Sequence, residues 1–173
     1  MNKKIQTLIS RAEIQNKVKE LAKMIKNDYQ DNVFCVVILT GAIVFFIDLM
    51  RELKKTKMNV EFALVKLKSY KNISSGGKIE LKLGLDADVK DKDILIIEDI
   101  ADTGLTLKFL NDYLKEKGAK NIKTCALLNK KQGRVHDIKI DYCGFNIPDK
   151  FVVGYGLDFD EKYRDMDYMG VII

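Results

Sequence analysis

The sequence predicts an α/β domain with a mainly parallel sheet flanked by helices. Three observations carry that reading. The runs Val33–Leu39 and Ile94–Ile97 are continuously apolar and rich in β-branched residues, as in strands covered on both faces. Stretches with helical spacing stand between such runs, the alternation that builds parallel sheets. The chain has 173 residues, 47% hydrophobic and 32% charged, enough to bury a core and of a length suited to one domain.

Each element has its own local warrant. Ser10 followed by Glu13 has the form of a helix start, and Ile14, Val18, Leu21, Ala22 and Ile25 then recur on one helical face. After the strand at 33–39, Thr40-Gly41 turns the chain into a second helix over about 42–54, and 60–66 reads as the next strand. From Lys68 to Lys78 the chain is polar with adjacent glycines, which predicts a long mobile loop of the kind that serves as a lid. Ile79–Leu83 reads as a return strand. The second buried strand, 93–98, leads through a short turn into a helix that ends near Lys117, where Gly118 stops it. Strands are expected at 122–128, 138–145 and 151–153, with a last apolar stretch at 171–173.

Several functions drop out on composition. No apolar run approaches the roughly 20 residues that span a bilayer, so no membrane association is expected. The start of the chain is broken by Gln6, Thr7 and Ser10 and does not read as a signal peptide, which points to the cytoplasm. Cys35, Cys125 and Cys143 lie far apart in apolar runs, without zinc or disulfide spacing, and read as reduced core thiols. The single histidine, His136, lies among polar residues and reads as a solvated imidazole rather than a catalytic one. Net charge is +5, too mild to argue for nucleic acid by itself. It is uneven: residues 1–80 carry 15 basic and 8 acidic groups, residues 81–173 carry 15 and 17. Carboxylates able to hold metal are thus concentrated in the second half.

The chemistry-bearing string is Ile97-Glu98-Asp99-Ile100-Ala101-Asp102-Thr103-Gly104-Leu105-Thr106. It lies at the carboxyl end of a buried strand, where open parallel sheets bind their ligands. Asp102 through Thr106 form a turn entering a helix, with a glycine and two threonine hydroxyls beside unpaired N–H groups, a cradle for phosphate. Asp102 does not suit plain phosphate binding, because a carboxylate repels phosphate, and so it points to a chemical duty. Glu98 and Asp99, expected on different sides of the strand, suit ribose hydroxyls or Mg²⁺. The string is neither a Gly-Lys-Ser/Thr phosphate loop nor a Gly-x-Gly-x-x-Gly turn.

Residues 94–106 resemble the phosphoribosyl-pyrophosphate (PRPP) signature of the type I phosphoribosyltransferases. A second segment, Gly144-Phe145-Asn146-Ile147-Pro148-Asp149-Lys150-Phe151-Val152-Val153-Gly154-Tyr155-Gly156-Leu157-Asp158, followed by Asp160-Glu161-Lys162-Tyr163-Arg164, resembles the hypoxanthine-guanine branch of that family. The likeness runs from about Val33 to the C-terminus. It implies the type I phosphoribosyltransferase fold: one domain over 1–173, with a mobile lid at about 68–78 and a purine-binding hood at about 144–173 built from the chain ends.

The resemblance also implies roles. Glu98 and Asp99 would hold the ribose hydroxyls of PRPP with its Mg²⁺. Asp102, Thr103, Gly104, Leu105 and Thr106 would bind the 5′-phosphate, with Asp102 also the catalytic base. Thr40-Gly41 falls on the family's pyrophosphate-binding turn with its unusual cis peptide, and Arg164 would bind pyrophosphate too. Lys130 would contact the purine 6-oxygen, Phe151 would stack on the base, and Val152 would read its edge. Asp158 would lie beside the purine and hold a second Mg²⁺. Ser69-Tyr70 falls on the closing loop. Thr40 stands where the best-known members have lysine, Lys71 where glycine is common, Ala101 where a larger aliphatic residue is usual, and Phe159 where tyrosine is frequent.

The implied function is purine salvage: transfer of the phosphoribosyl group from PRPP to N9 of hypoxanthine or guanine, giving IMP or GMP and pyrophosphate. Implied partners are PRPP, a 6-oxopurine, two Mg²⁺ per active site, and further copies of the chain in a homodimer or homotetramer, with no nucleic acid. The alternatives are a phosphoribosyltransferase for xanthine or another base, and a PRPP-sensing regulator that binds nucleic acid.

Overall fold

The computed structural model describes residues 4–70 and 78–173, with residues 69, 70 and 78 described by their backbone alone. A six-stranded sheet has the order β4-β3-β2-β5-β6-β7, where β2 is Asn32–Leu39, β3 Asn59–Tyr70, β4 Lys78–Leu83, β5 Asp93–Ala101, β6 Asn121–Asn129 and β7 Tyr142–Asn146. All neighbours are parallel except β3 and β4. Helices α1 (Arg11–Tyr29), α2 (Ala42–Lys55) and α3 (Leu105–Glu116) cover it. A smaller antiparallel sheet joins β1 (Ile5–Ile9), β9 (Met169–Ile172) and β8 (Val152–Val153), so the two chain ends build one layer.

The apolar runs behave as their composition dictates. Along β2, Val33, Cys35 and Val37 enter the core shared with α1 and α2, while Phe34, Val36 and Ile38 enter the core under α3. On β5, Leu95 and Ile97 face the first core, and Ile94 and Ile96 the second. Alternation of side chains across two buried faces is why neither run shows a polar stripe. Helix α1 begins with the capping box read from the sequence: Ser10 N–H donates to Glu13 Oε2 at 2.8 Å, and Glu13 N–H donates to Ser10 Oγ at 3.4 Å. Gly118, at φ +85°, ends α3 as anticipated.

The structure corrects several expectations. Lys68–Tyr70 are not loop but the end of β3, paired with β4, whose first residue is Lys78. An antiparallel edge hairpin tolerates polar side chains because one face meets water. The rest of the anticipated loop, 71–77, lies outside the described residues. The strand expected over 138–145 is Tyr142–Asn146 alone. The chain before it is irregular, and the N–H groups of Val135 and His136 both donate to the Thr103 carbonyl instead of to a ladder. Strand β1, Ile5–Ile9, lies where the sequence predicts no element. The cysteines are free, but only Cys35 and Cys125 are core thiols; Cys143 is half-buried. Among the described residues no helix is long and apolar enough to cross a membrane.

Strand order places the site. From β2 the chain crosses through α2 outward to β3, and from β5 it crosses through α3 the other way to β6. The order therefore reverses between β2 and β5, and a crevice opens at their carboxyl ends, where such sheets bind ligands.

Candidate active site

Strand β5 runs through Glu98, Asp99, Ile100 and Ala101 before the turn Asp102–Gly104 starts α3. Gly104 occupies the position before the helix at φ +84°, a left-handed conformation that glycine adopts without cost. A Cβ there would also stand 2.7 Å from the His136 carbonyl oxygen. The helix has no side-chain cap, although Thr103 Oγ1 accepts from Leu105 N–H at 3.4 Å. A concavity of about 60 Å³ lies here, lined by Glu98, Ile100, Ala101, Asp102, Thr103, Gly104, Thr106 and Leu107. Leu105 is the first residue of the helix. N–H groups at a helix start, the dipole and two hydroxyls favour an anion at this place.

Glu98 lines that concavity and is 6% exposed. Asp99 packs instead against the turn after β2: a Cβ on Gly41 would fall 1.6 Å from Asp99 Oδ2. The two residues thus serve opposite flanks, as their adjacency on a strand requires, yet their carboxyl groups still interact. Burial, then the neighbouring Asp99, pushes the Glu98 carboxyl well above the usual carboxylate range. Burial raises Asp99 as well, against the pull of Glu98 and of the Ile100 N–H, which donates to Asp99 Oδ1 at 2.7 Å. Two carboxylates driven toward protonation by burial make a place that a cation would stabilise. Among the described residues no third His, Cys, Asp or Glu joins them in a metal-holding group. The donor set suits Mg²⁺, which takes one or two carboxylates and completes its shell with water and phosphate oxygens.

The turn after β2 closes the other side. The peptide between Leu39 and Thr40, which leads into the Thr40-Gly41 turn, is cis. Thr40 is exposed, and Gly41 leads into α2. Gly156, at φ +98°, presses on this turn, since a Cβ there would stand 2.2 Å from the Gly41 carbonyl oxygen. Arg164 holds the same segment: it donates to the Gly156 carbonyl at 2.8 Å and pairs with Asp158 at 2.8 Å and Glu161 at 3.0 Å. Arg164 and Asp158 are therefore together at the rim beside Gly41 and Asp99.

Lys130 follows β6, its side chain only 12% exposed, with Nζ 3.7 Å from Asp102 Oδ2 and 2.7 Å from Asp149 Oδ1. The hydrogen bond to Asp149, reinforced by Asp102, raises its proton affinity above that of an ordinary lysine. Phe151 is 56% exposed and stands edge-to-face with Phe159 at 5.5 Å, so it is a free aromatic face and not core. Val152 beside it is buried on β8. Ser69 and Tyr70 end β3, and their side chains lie outside what the structure describes.

The anion cradle, the carboxylate pair and the exposed Asp102 beside the largely covered Lys130 ammonium adjoin one another at the ends of β5 and β6, and Phe151 stands exposed two residues beyond Asp149. A family model described as "Phosphoribosyl transferase domain" matches residues 10–160. The hypoxanthine-guanine phosphoribosyltransferase of Bacillus subtilis is 45% identical over 167 residues, covering 95% of this chain and 91% of that one. This chain belongs to the phosphoribosyltransferase family. The enzyme of the same name from Dictyostelium discoideum is 40% identical over 168 residues, covering 95% of this chain and 93% of its own. A crystal structure of a hypoxanthine-guanine phosphoribosyltransferase from Bacillus anthracis superposes with a TM-score of 0.91 at 37% identity, covering 99% of this chain and 100% of that one.

At this candidate site, the sequence reading missed the residues that hold the loop at 101–104. Arg134 Nη2 donates to the Ala101 carbonyl at 2.8 Å and to Asn129 Oδ1 at 2.7 Å, and its Nε donates to the Asp102 carbonyl at 3.2 Å. Asn129 is buried and donates in turn to Asn146 Oδ1 at 2.8 Å. His136 is half-buried rather than solvated, and it braces the loop with its backbone: its N–H donates to the Thr103 carbonyl at 3.0 Å. A larger concavity, about 730 Å³ between α3 and the chain at 137–141, lies away from all of this. Its Lys108, Lys123 and Lys139 are paired with Asp112, Asp28 and Asp141.

Proposed function

We propose that the protein transfers the 5-phosphoribosyl group of PRPP to N9 of hypoxanthine or guanine, forming IMP or GMP and pyrophosphate. The observation that carries this reading is the approach of the Lys130 ammonium to 3.7 Å from Asp102, beside the anion cradle. A half-exposed carboxylate at that place can accept a ring proton. A lysine donor beside it favours a base with a carbonyl at position 6, because an amino group there would oppose donor to donor. The names of the relatives point to the same substrates.

In this reading Thr103, Gly104, Leu105 and Thr106 hold the 5′-phosphate at the start of α3, and Gly41 and Arg164 hold the pyrophosphate. The C1′–O bond breaks with its electron pair going to pyrophosphate, N9 bonds to C1′, and Asp102 takes the proton that the purine ring gives up. Arg164 stabilises the leaving charge with an electrostatic field already in place. Glu98 and Asp99, and Asp158 at the rim, would hold two Mg²⁺ that neutralise pyrophosphate charge when bound. Phe151 offers its face to the base and Val152 its backbone edge. Residues 144–173 act as the hood over the base, and residues at about 68–78, Ser69 and Tyr70 among them, as the lid over a single catalytic domain. Further copies of the chain complete a homodimer or homotetramer in the cytoplasm.

The test is PRPP- and Mg²⁺-dependent nucleotide formation with hypoxanthine, guanine, xanthine, adenine and uracil offered separately. Turnover of the first two with little from adenine is the expected result. Xanthine turnover would widen the substrate class, and no turnover with any base would overturn the reading.

A further inference from the structure

Lys130 is a largely covered ammonium, its side chain 12% exposed, between two carboxylates that are not equivalent. Asp149 is at 2.7 Å and Asp102 at 3.7 Å. Asp149 is 60% exposed at its side chain, yet its backbone is fixed. It lies in the turn after β7, where Ile147 N–H donates to the Asn129 carbonyl at 3.0 Å and Lys150 N–H to the Pro148 carbonyl at 2.8 Å. Asp149 N–H itself donates to Gln132 Oε1 at 3.3 Å. The same turn delivers Phe151 two residues later. Asp102 comes from the loop after β5. These are the carboxylates that face Lys130 among the described residues, while Arg134 nearby is engaged with backbone carbonyls and Asn129.

We propose that Asp149 is a positioning residue for the transfer reaction, holding the Lys130 ammonium off Asp102 and toward the base platform. The idea rests on the function proposed above. An ammonium has three donors. One is fixed by Asp149, which leaves the others for a carbonyl oxygen on the base. With Asp149 neutral, the remaining carboxylate within reach is Asp102. A full ion pair there would stabilise the Asp102 anion and make it a poorer proton acceptor. It would also draw the donor away from the base. Asp149 therefore serves base recognition and proton transfer together without touching the reacting atoms.

The experiment compares Asp149→Asn and Asp149→Glu with the unmodified chain, measuring kcat and KM separately for PRPP and hypoxanthine. A charge-assisted hydrogen bond of this kind sets a loss of about tenfold or more in kcat with hypoxanthine for the Asn variant. KM for PRPP should stay within about twofold, since the cradle is untouched, and the Glu variant should recover much of the rate. An unchanged kcat in Asp149→Asn would overturn the proposal, as would a loss confined to KM for PRPP. Should the unmodified chain use no purine, the functional reading fails on its own account. The Lys130 pair is then still tested by NMR of ¹³C-lysine-labelled protein. A lower titration midpoint for Lys130 in Asp149→Asn supports the pairing, and an unmoved one refutes it.

Discussion

Replacing Arg134 by alanine tests whether the catalytic loop is held from outside the loop. The guanidinium joins the carbonyls of Ala101 and Asp102 to Asn129 Oδ1, and these contacts do not fail equally. The Ala101 carbonyl retains the Lys130 N–H at 2.9 Å, and the exposed Asp102 reaches water. Asn129 is 5% exposed, and its Oδ1 is left without that donor while its Nδ2 stays with Asn146. Orphaning one buried carbonyl costs about 1–3 kcal/mol. In a chain of this size that lowers the thermal midpoint by about 3–10 °C. The functional loss should be larger than the fold requires. Ala101 and Asp102 gain freedom that PRPP binding must remove, at about 1–2 kcal/mol per residue, partly offset by the N–H groups of Val135 and His136 on Thr103. PRPP affinity should fall about tenfold. Calorimetric titration of PRPP and a melting curve measure both. Arg134→Lys should not rescue, because a point charge cannot fork between three acceptors. Asn129→Ala together with Arg134→Ala should cost less than the sum of the two. Full PRPP affinity in Arg134→Lys, or strict additivity in the pair, would refute the reasoning.

Three further outcomes follow from the same geometry. Asp102→Asn keeps the shape of the loop but removes the proton acceptor, so turnover should fall by about 10²–10⁴-fold with PRPP binding largely kept; near-normal turnover would remove Asp102 from its role. Gly41→Ala should fold, yet it must displace Asp99, whose Oδ2 stands 1.6 Å from the new Cβ, so transferase activity should drop far more than the thermal midpoint. For Glu98→Gln the sign is worked from its raised proton affinity. The folded chain binds this proton more tightly than the unfolded one, so stability falls as pH rises above the ordinary carboxylate range. The ligand-free Gln variant should melt higher than the unmodified chain at neutral pH, with the gap closing toward about pH 4; a gap that ignores pH would contradict the buried-carboxyl account.

What could be read from the sequence divides by range. Val33–Leu39 and Ile94–Ile97 announced themselves because burial on both faces demands apolar residues at every position, and the string from Glu98 to Thr106 announced its chemistry because cradle and carboxylates follow one another along the chain. Strand β1 gave no such signal: Gln6 and Thr7 are exposed, and its partner β9 lies at the opposite end of the sequence. The segment 138–141 looked like strand by composition, but the preceding residues give their N–H groups to Thr103. Lys130, Phe151 and Arg164 had no local signature for their duties, and only family likeness singled them out.

Arg134 and Asp149 show why that boundary falls where it does. Each acts through atoms that every residue possesses, or through a side chain whose meaning depends on a neighbour. Arg134 reads the backbone of Ala101 and Asp102, about 30 positions earlier, and backbone carbonyls leave no trace in residue type. Asp149 matters because Lys130 arrives from β6 as the chain enters the turn after β7, a meeting fixed by the parallel pairing of those two strands. The groups proposed to touch substrate sit at strand ends, where their chemistry is concentrated and legible. The groups that aim them belong to the connections between strands, so the register of the sheet, more than any motif, decides how well the crevice performs.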